Sequence, residues 1–144
     1  MQSINLNEIE KIGKRLNKIL DEFPGMRRKF HEEVAKETLT MIKNGFGNRK
    51  VASWQERHVG TKGGYAAVRP MAKTYYAKYA VGYITNAITS GHRVRPCSQK
   101  YSRAKLNYVS GKHIYIDTVD KATNMAEKKA ETMTKELEEK LKGL

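Results

Sequence analysis

Apolar residues recur at helical spacing from the start of the chain. Leu6, Ile9, Ile12, Leu16, Ile19 and Leu20 follow one another at three- and four-residue steps, with Glu8, Lys11, Lys14, Arg15 and Lys18 on the opposite side. This predicts a helix over residues 5–22. Phe23-Pro24-Gly25 should interrupt it, because proline cannot donate the backbone hydrogen bond that an unbroken helix needs. Pro24 suits the first turn of a second helix, predicted over 24–43 with Met26, Phe30, Val34, Leu39 and Ile42 on its apolar stripe. Asn44-Gly45 is its stop signal. From Val51 the period changes. Val51 to Val59 reads as a strand, Gly60-Thr61-Lys62-Gly63-Gly64 as a five-residue turn, and Tyr65 to Arg69 as the returning strand. A hairpin over 51–69 is marginal alone in water, so it must pack on helices or join a larger sheet. The clearest element is the last: Ile116, Val119, Thr123, Ala126, Ala130, Met133, Leu137 and Leu141 alternate by threes and fours. They predict a helix over 114–142, long enough for coiled-coil packing. It is expected to pack on the first two helices or on a neighbouring subunit. Ala126 and Ala130 would allow close approach, and Glu127, Glu131, Lys128, Lys129 and Lys135 would fill the outer face.

The middle is less decided. In Thr74 to Asn86, Tyr75, Tyr79 and Tyr83 would share a helix face, but 75, 77, 79, 81 and 83 also alternate as a strand would. Both readings stay open. Thr89 to Ser110 has no clear period, and a loop of about 20 residues in a compact domain tends to be functional or mobile. Residues 74–112 are therefore expected to form a basic strand and arm region. The elements together predict an α+β fold: an antiparallel hairpin packed against N-terminal helices and a long C-terminal helix. At 144 residues the chain reads as a single domain, 1–144.

Composition narrows the class. An apolar fraction of 39% and a mean hydropathy of -0.71 describe a protein with a modest core. No run approaches the roughly 18 apolar residues that a membrane span needs. Met1 to Glu10 lacks a basic segment followed by an apolar run, so no secretory signal is predicted. Cys97 is the only cysteine, which excludes an intrachain disulfide and a thiolate-rich metal site. A cytoplasmic site of synthesis fits.

Charge changes the picture most. Arg57 to Ile116 holds 11 Lys/Arg and no Asp or Glu, so +11 of the net +13 lies in that one span. A block of one sign repels itself unless it faces an anion, a polyanion or an acidic partner. The alternative is a solvated basic face that only aids solubility.

The chemistry of turnover is hard to find. The acid-free span lacks the carboxylates that magnesium-dependent nuclease or phosphoryl-transfer sites use. His31-Glu32-Glu33 lacks the second histidine of the zinc-protease pattern and reads as exposed helix surface. Gly60-Thr61-Lys62-Gly63-Gly64 lacks the Gly-Lys-Ser/Thr order of a phosphate loop. His58, His92 and His113 have no Cys or acidic neighbour to complete a metal site, and Cys97 beside Arg93 and Arg95 has no positioned acid or base. No catalytic residue, cofactor or metal is predicted. Lys73, Lys78, Arg93, Arg95, Lys100, Arg103, Lys105 and Lys112 are instead interleaved with tyrosines. Cations neutralise phosphates and rings stack on bases. No helix-turn-helix, zinc-finger or RNA-recognition signature accompanies them, so any such binding would be sequence-independent. The tyrosines also read as core or interface residues.

The order of elements is similar to the head–tail joining and tail-completion proteins of tailed bacteriophages, the minor tail or neck proteins. The resemblance covers about two thirds of the chain. It lies in the helical start and hairpin, then Tyr76-Ala77-Lys78-Tyr79-Ala80-Val81, then Gly91-His92-Arg93, then Val109-Ser110-Gly111-Lys112-His113 leading into a final amphipathic helix. The family's wording before Gly-His-Arg is only partly kept, Thr89-Ser90 preceding Gly91. The resemblance implies a non-catalytic subunit of a six-fold ring between head connector and tail tube, around the DNA channel. It implies a virion location, neighbouring neck and tail proteins as partners, and non-specific contact with packaged DNA. Arg93, Arg95, Lys100, Arg103 and Lys105 are the expected intersubunit or DNA-facing residues. A free, sequence-independent nucleic-acid-binding protein is the alternative.

Overall fold

A computed structural model describes residues 6–93 and 108–143. Four helices and three two-stranded antiparallel sheets follow in the order α1 (Leu6–Gly45), α2 (Arg49–Ser53), β1 (Gln55–Val59), β2 (Ala66–Pro70), β3 (Tyr75–Tyr76), β4 (Tyr79–Ala80), α3 (Val81–Ser90), β5 (Gly91–Arg93), β6 (Tyr108–Ser110) and α4 (Ile114–Lys142). The fold is α+β. α1 and α4 lie antiparallel: Ile114 enters the core beside Ile42, Lys129 bridges Glu33 and Glu37, and Arg15 Nη1 donates to the Gly143 carbonyl at 2.8 Å. The sheets and short helices gather where α1 ends and α4 begins, forming a head. The rest of the two helices projects as an arm.

The break expected at Phe23-Pro24-Gly25 does not occur; one helix runs through Pro24. An interior proline forfeits a hydrogen bond and crowds the preceding turn, a cost of about 3 kcal/mol. α4 splints the weak point from both sides. Lys140 meets Glu22 at 2.5 Å before it, and Lys129 meets Glu37 at 2.8 Å after it. The Lys140 hydrogen bond holds the Glu22 carboxyl below its ordinary value, and the bond to Glu37 raises Lys129. Lys129 therefore faces α1, not the outer surface expected of it. Pro24→Ala restores the missing bond and is expected to raise stability by about 1–2 kcal/mol after the lost stiffness of the unfolded chain is counted. Urea denaturation measures it.

The hairpin is shorter at its start than expected. Residues 51–53 are helical, because the Asn48 side chain caps α2 by accepting from the Lys50 N–H (2.9 Å) and the Val51 N–H (3.4 Å). A satisfied cap outweighs the strand preference of one valine. From Gln55 the pairing is regular, Gln55 opposite Pro70 through Val59 opposite Ala66. The Gly60 N–H donates to the Tyr65 carbonyl at 3.0 Å and closes the turn. The turn reaches back to α1, where Arg27 donates to the Lys62 carbonyl at 3.3 Å.

Residues 74–86 use both candidate conformations in succession. Thr74 precedes a minimal hairpin, β3–β4, turned by Ala77 in the left-handed region (φ 53°). At Val81 the chain becomes α3. The segment expected as an arm from 89 to 110 begins instead with the last two residues of α3, and then Gly91 pairs with Ser110 and Arg93 with Tyr108 in antiparallel strands. The C-terminal helix begins and ends as predicted.

Ile42, Phe46, Val51 and Ile114 form the core, with Trp54, Val68, Ile88 and Tyr115 packed around them. A polar node lies among them. Buried Gln55 donates to the Val51 carbonyl (3.2 Å) and the Thr85 hydroxyl (3.1 Å), and accepts from the Tyr115 hydroxyl. Burial pushes the Tyr115 phenol up to about 12. The raised value means that stability is intact below the ordinary pH of 10 and is lost as pH rises from 10 towards 12. The urea midpoint is expected to fall across that window, and Tyr115→Phe to remove the step.

Candidate functional site

Two surfaces stand out, one on the head and one on the arm. The head surface is built on β3–β4 and the first turn of α3. Its tight turn leaves the rings of Tyr75, Tyr76, Tyr79 and Tyr83 outside, Tyr75 being 68% and Tyr83 62% exposed. The rings are held in place. Tyr79 stacks on Tyr83 with centroids 5.9 Å apart, and Tyr76 packs on Trp54 at 5.6 Å. Cations join them: Lys50 Nζ lies 3.8 Å from the centre of the Tyr76 ring, and Lys78 Nζ 5.5 Å from that of Tyr79. Lys73 is exposed at the turn before β3. Of the acid-free span, Arg69 alone makes an ion pair among the described residues, with Glu56 at 3.7 Å. The positive charge of the span is therefore largely unneutralised among the described residues.

Beside this platform, an open groove of about 610 Å³ runs between the 69–74 turn and one flank of α3. Arg69, Lys73, Asn86, Ser90 and Tyr115 are among its lining residues, and no carboxylate is. At the far end of α3 the backbone is crowded. Gly91 has φ 84°, and a side chain there would meet the Val109 carbonyl at 2.7 Å and the Gly111 N–H at 2.8 Å. The Lys112 and His113 N–H groups donate to the Ile88 and Thr89 carbonyls, both at 2.9 Å. The Gly91-His92-Arg93 and Gly111-Lys112-His113 elements of the sequence thus form one joint at the end of α3.

Of the five predicted site residues, Arg93 lies exposed on β5 at this joint. Arg95, Lys100, Arg103 and Lys105 lie outside the described residues. His58, His92 and His113 are not gathered. His58 packs near Tyr65, His92 lies 3.4 Å from the Ala87 carbonyl, and His113 opens α4 with φ 51°. Among the described residues no three His, Cys, Asp or Glu side chains come together, and no helix is long and apolar enough to cross a membrane.

The arm surface is apolar, and its α4 stripe is the one expected to pack on the first two helices or on a neighbouring subunit. On α1, Ile19 is buried, but Leu6 is 77%, Ile9 52% and Leu20 60% exposed. On α4, the side chains turned to α1 include Ile114, Thr118, Lys129, Met133 and Lys140. Of the regular stripe, Ile116, Val119, Thr123 and Leu141 are exposed, Val119 at 56%, whereas Ala126, Ala130, Met133 and Leu137 are half-buried. Amphipathic spacing identified these residues without revealing that nothing among the described residues covers them. Comparison with protein-family models, with curated proteins and with solved structures finds no match.

Proposed function

We propose that the chain is a non-enzymatic structural subunit of a ring in the neck or upper tail of a tailed bacteriophage, around the channel through which DNA passes. The observation that carries this reading is the surface left uncovered. The chain exposes 11640 Å² for its 16.4 kDa, against the roughly 7,500 Å² of a compact monomer of that mass. If the 20 undescribed residues are granted the full area of extended chain and the compact reference is taken for the other 124, an excess of roughly 1,600 Å² remains. That is about what a subunit commits to two standard interfaces. The excess includes isoleucine and leucine faces that water does not favour, and a ring subunit has two neighbours to cover them. The ordered likeness to tail-completion proteins described above supports the same reading. Arg93, Arg95, Lys100, Arg103 and Lys105, on the segment leaving the β5–β6 joint, are assigned to neighbouring subunits or to DNA.

Electron microscopy of particles carrying a tagged copy tests this. The label is expected at the head–tail junction, and its absence from particles overturns the reading. A free, sequence-independent nucleic-acid-binding protein is the second reading, favoured by the exposed tyrosines interleaved with Lys50, Lys73 and Lys78. It predicts a monomer whose affinity for DNA falls steeply with salt.

A further inference from the structure

The short hairpin β3–β4 and the start of α3 set aromatic rings in a row. Tyr76 and Tyr79 are direct partners across the two strands, which puts their side chains on one face of the hairpin. The row continues at both ends. Trp54 packs on Tyr76, and Tyr83 stacks on Tyr79 with the ring planes 16° apart. All three tyrosines are exposed, so they are not core. Among the described residues Tyr83 has no ring or cation neighbour besides Tyr79, which leaves one face of its ring open. Tyr75 is not part of the row. Strand alternation puts it on the other side of the hairpin, with Ala80 as its cross-strand partner.

Two cations accompany the row. Lys50, from α2, places its ammonium over the Tyr76 ring, and Lys78, from the β3–β4 turn, places its own near the Tyr79 ring. Neither makes an ion pair among the described residues. A face that served only solubility would need the charges and not the rings. An acidic peptide would satisfy the lysines and leave the rings without a flat partner. Duplex DNA would do the same, because its bases are stacked on one another and hide their faces. Unpaired bases use both features: rings stack on their faces, and lysines neutralise the phosphates that link them.

We infer that this row is a binding site for single-stranded nucleic acid, with bases stacked on Tyr79 and Tyr83 and phosphates held by Lys50 and Lys78. Tyr76, engaged by Trp54 and Lys50, anchors the hairpin that carries the row. Stacking reads no base edge, so the site is indifferent to sequence. The inference rests on the nucleic-acid contact of the second reading and narrows it to unpaired strands. It goes beyond the ring reading and does not need it.

Fluorescence anisotropy of the full-length chain tests it, with a labelled oligothymidine of about 12 nucleotides and a duplex of the same length as probes. The wild type is expected to bind the single strand more tightly than the duplex at equal salt. Tyr83→Ala should weaken single-strand binding at least about fivefold and duplex binding by less than about twofold. Tyr83→Trp keeps a flat ring and should retain the wild-type affinity. Tyr75→Ala, comparably exposed but on the other side of the hairpin, should leave both probes unchanged. Lys50→Gln/Lys78→Gln should weaken both probes and lower the log–log salt slope of single-strand binding by about 1.4. Urea midpoints close to wild type are expected throughout, since all these side chains are exposed. If Tyr83→Ala weakens both probes alike, or neither, the rings do not stack on bases and the site is wrong, while the nucleic-acid reading stands. Displacement of the oligothymidine by polyglutamate at equal charge concentration would also overturn the site and point to an acidic protein. If neither probe binds at low salt, the second reading falls with it.

Discussion

Replacing Gly111 by alanine is expected to remove more than about 3 kcal/mol of stability, the largest effect of any single methyl group in the chain. The added carbon would lie 2.6 Å from the Gly91 amide nitrogen and 2.6 Å from the Ser90 carbonyl carbon, and also against the Thr89 carbonyl oxygen. All three are backbone atoms, so no rotamer relieves the clash. The β6–α4 link must move off the end of α3, which strains the hydrogen bonds from Lys112 and His113 and draws Ile114 out of the core. Gly13→Ala provides the contrast. Gly13 is inside α1 with nothing within 4 Å of the added carbon, so the same substitution should stabilise by about 1 kcal/mol. Urea midpoints of the two variants should move in opposite directions. Equal shifts would mean that the joint does not hold the head together.

Gln55→Ala is the second large effect, expected at about 3–4 kcal/mol. It opens a cavity in the core and leaves the Tyr115 and Thr85 hydroxyls without their partner. Gln55→Leu fills most of the volume but still strands both hydroxyls, so it should recover only part of the loss, leaving about 2 kcal/mol. Denaturant curves distinguish them. If leucine proved as stable as glutamine, the node would be incidental to packing.

Local signals made much of the architecture legible. α4 was readable to its ends because its pattern is long and regular and its start follows a glycine-bearing turn. The hairpin was readable from its alternation and its Gly-rich turn, but not its first residue, because the cap at Asn48 acts through a side chain whose partners only the folded loop brings near. The helix through Pro24 was misread for a related reason. Sequence displays the cost of proline, whereas the α4 splint that offsets it comes from residues more than 100 positions away. The tyrosine-rich stretch satisfied two periods because it contains both a hairpin and a helix start.

The site was less legible. The acid-free span located the basic head surface, but Arg93 lies on β5 beyond the other end of α3, and the α4 stripe was assigned to packing on the first two helices or on a neighbouring subunit without a sign of which residues stay exposed. Periodicity tells which side chains share a face and is silent on what covers that face. The joint of Gly91 and Gly111 was visible only as two separate short motifs, since their contact depends on a strand pairing that spans the segment between them.

Native mass spectrometry of the purified full-length chain at tens of micromolar, in salt near the physiological range, bears most directly on the proposal that this chain builds a ring. The expected result is one closed species at a discrete multiple of 16.4 kDa, six copies if the proposed symmetry holds. A 16.4 kDa monomer at every concentration, or growth without closure into fibres, would contradict it.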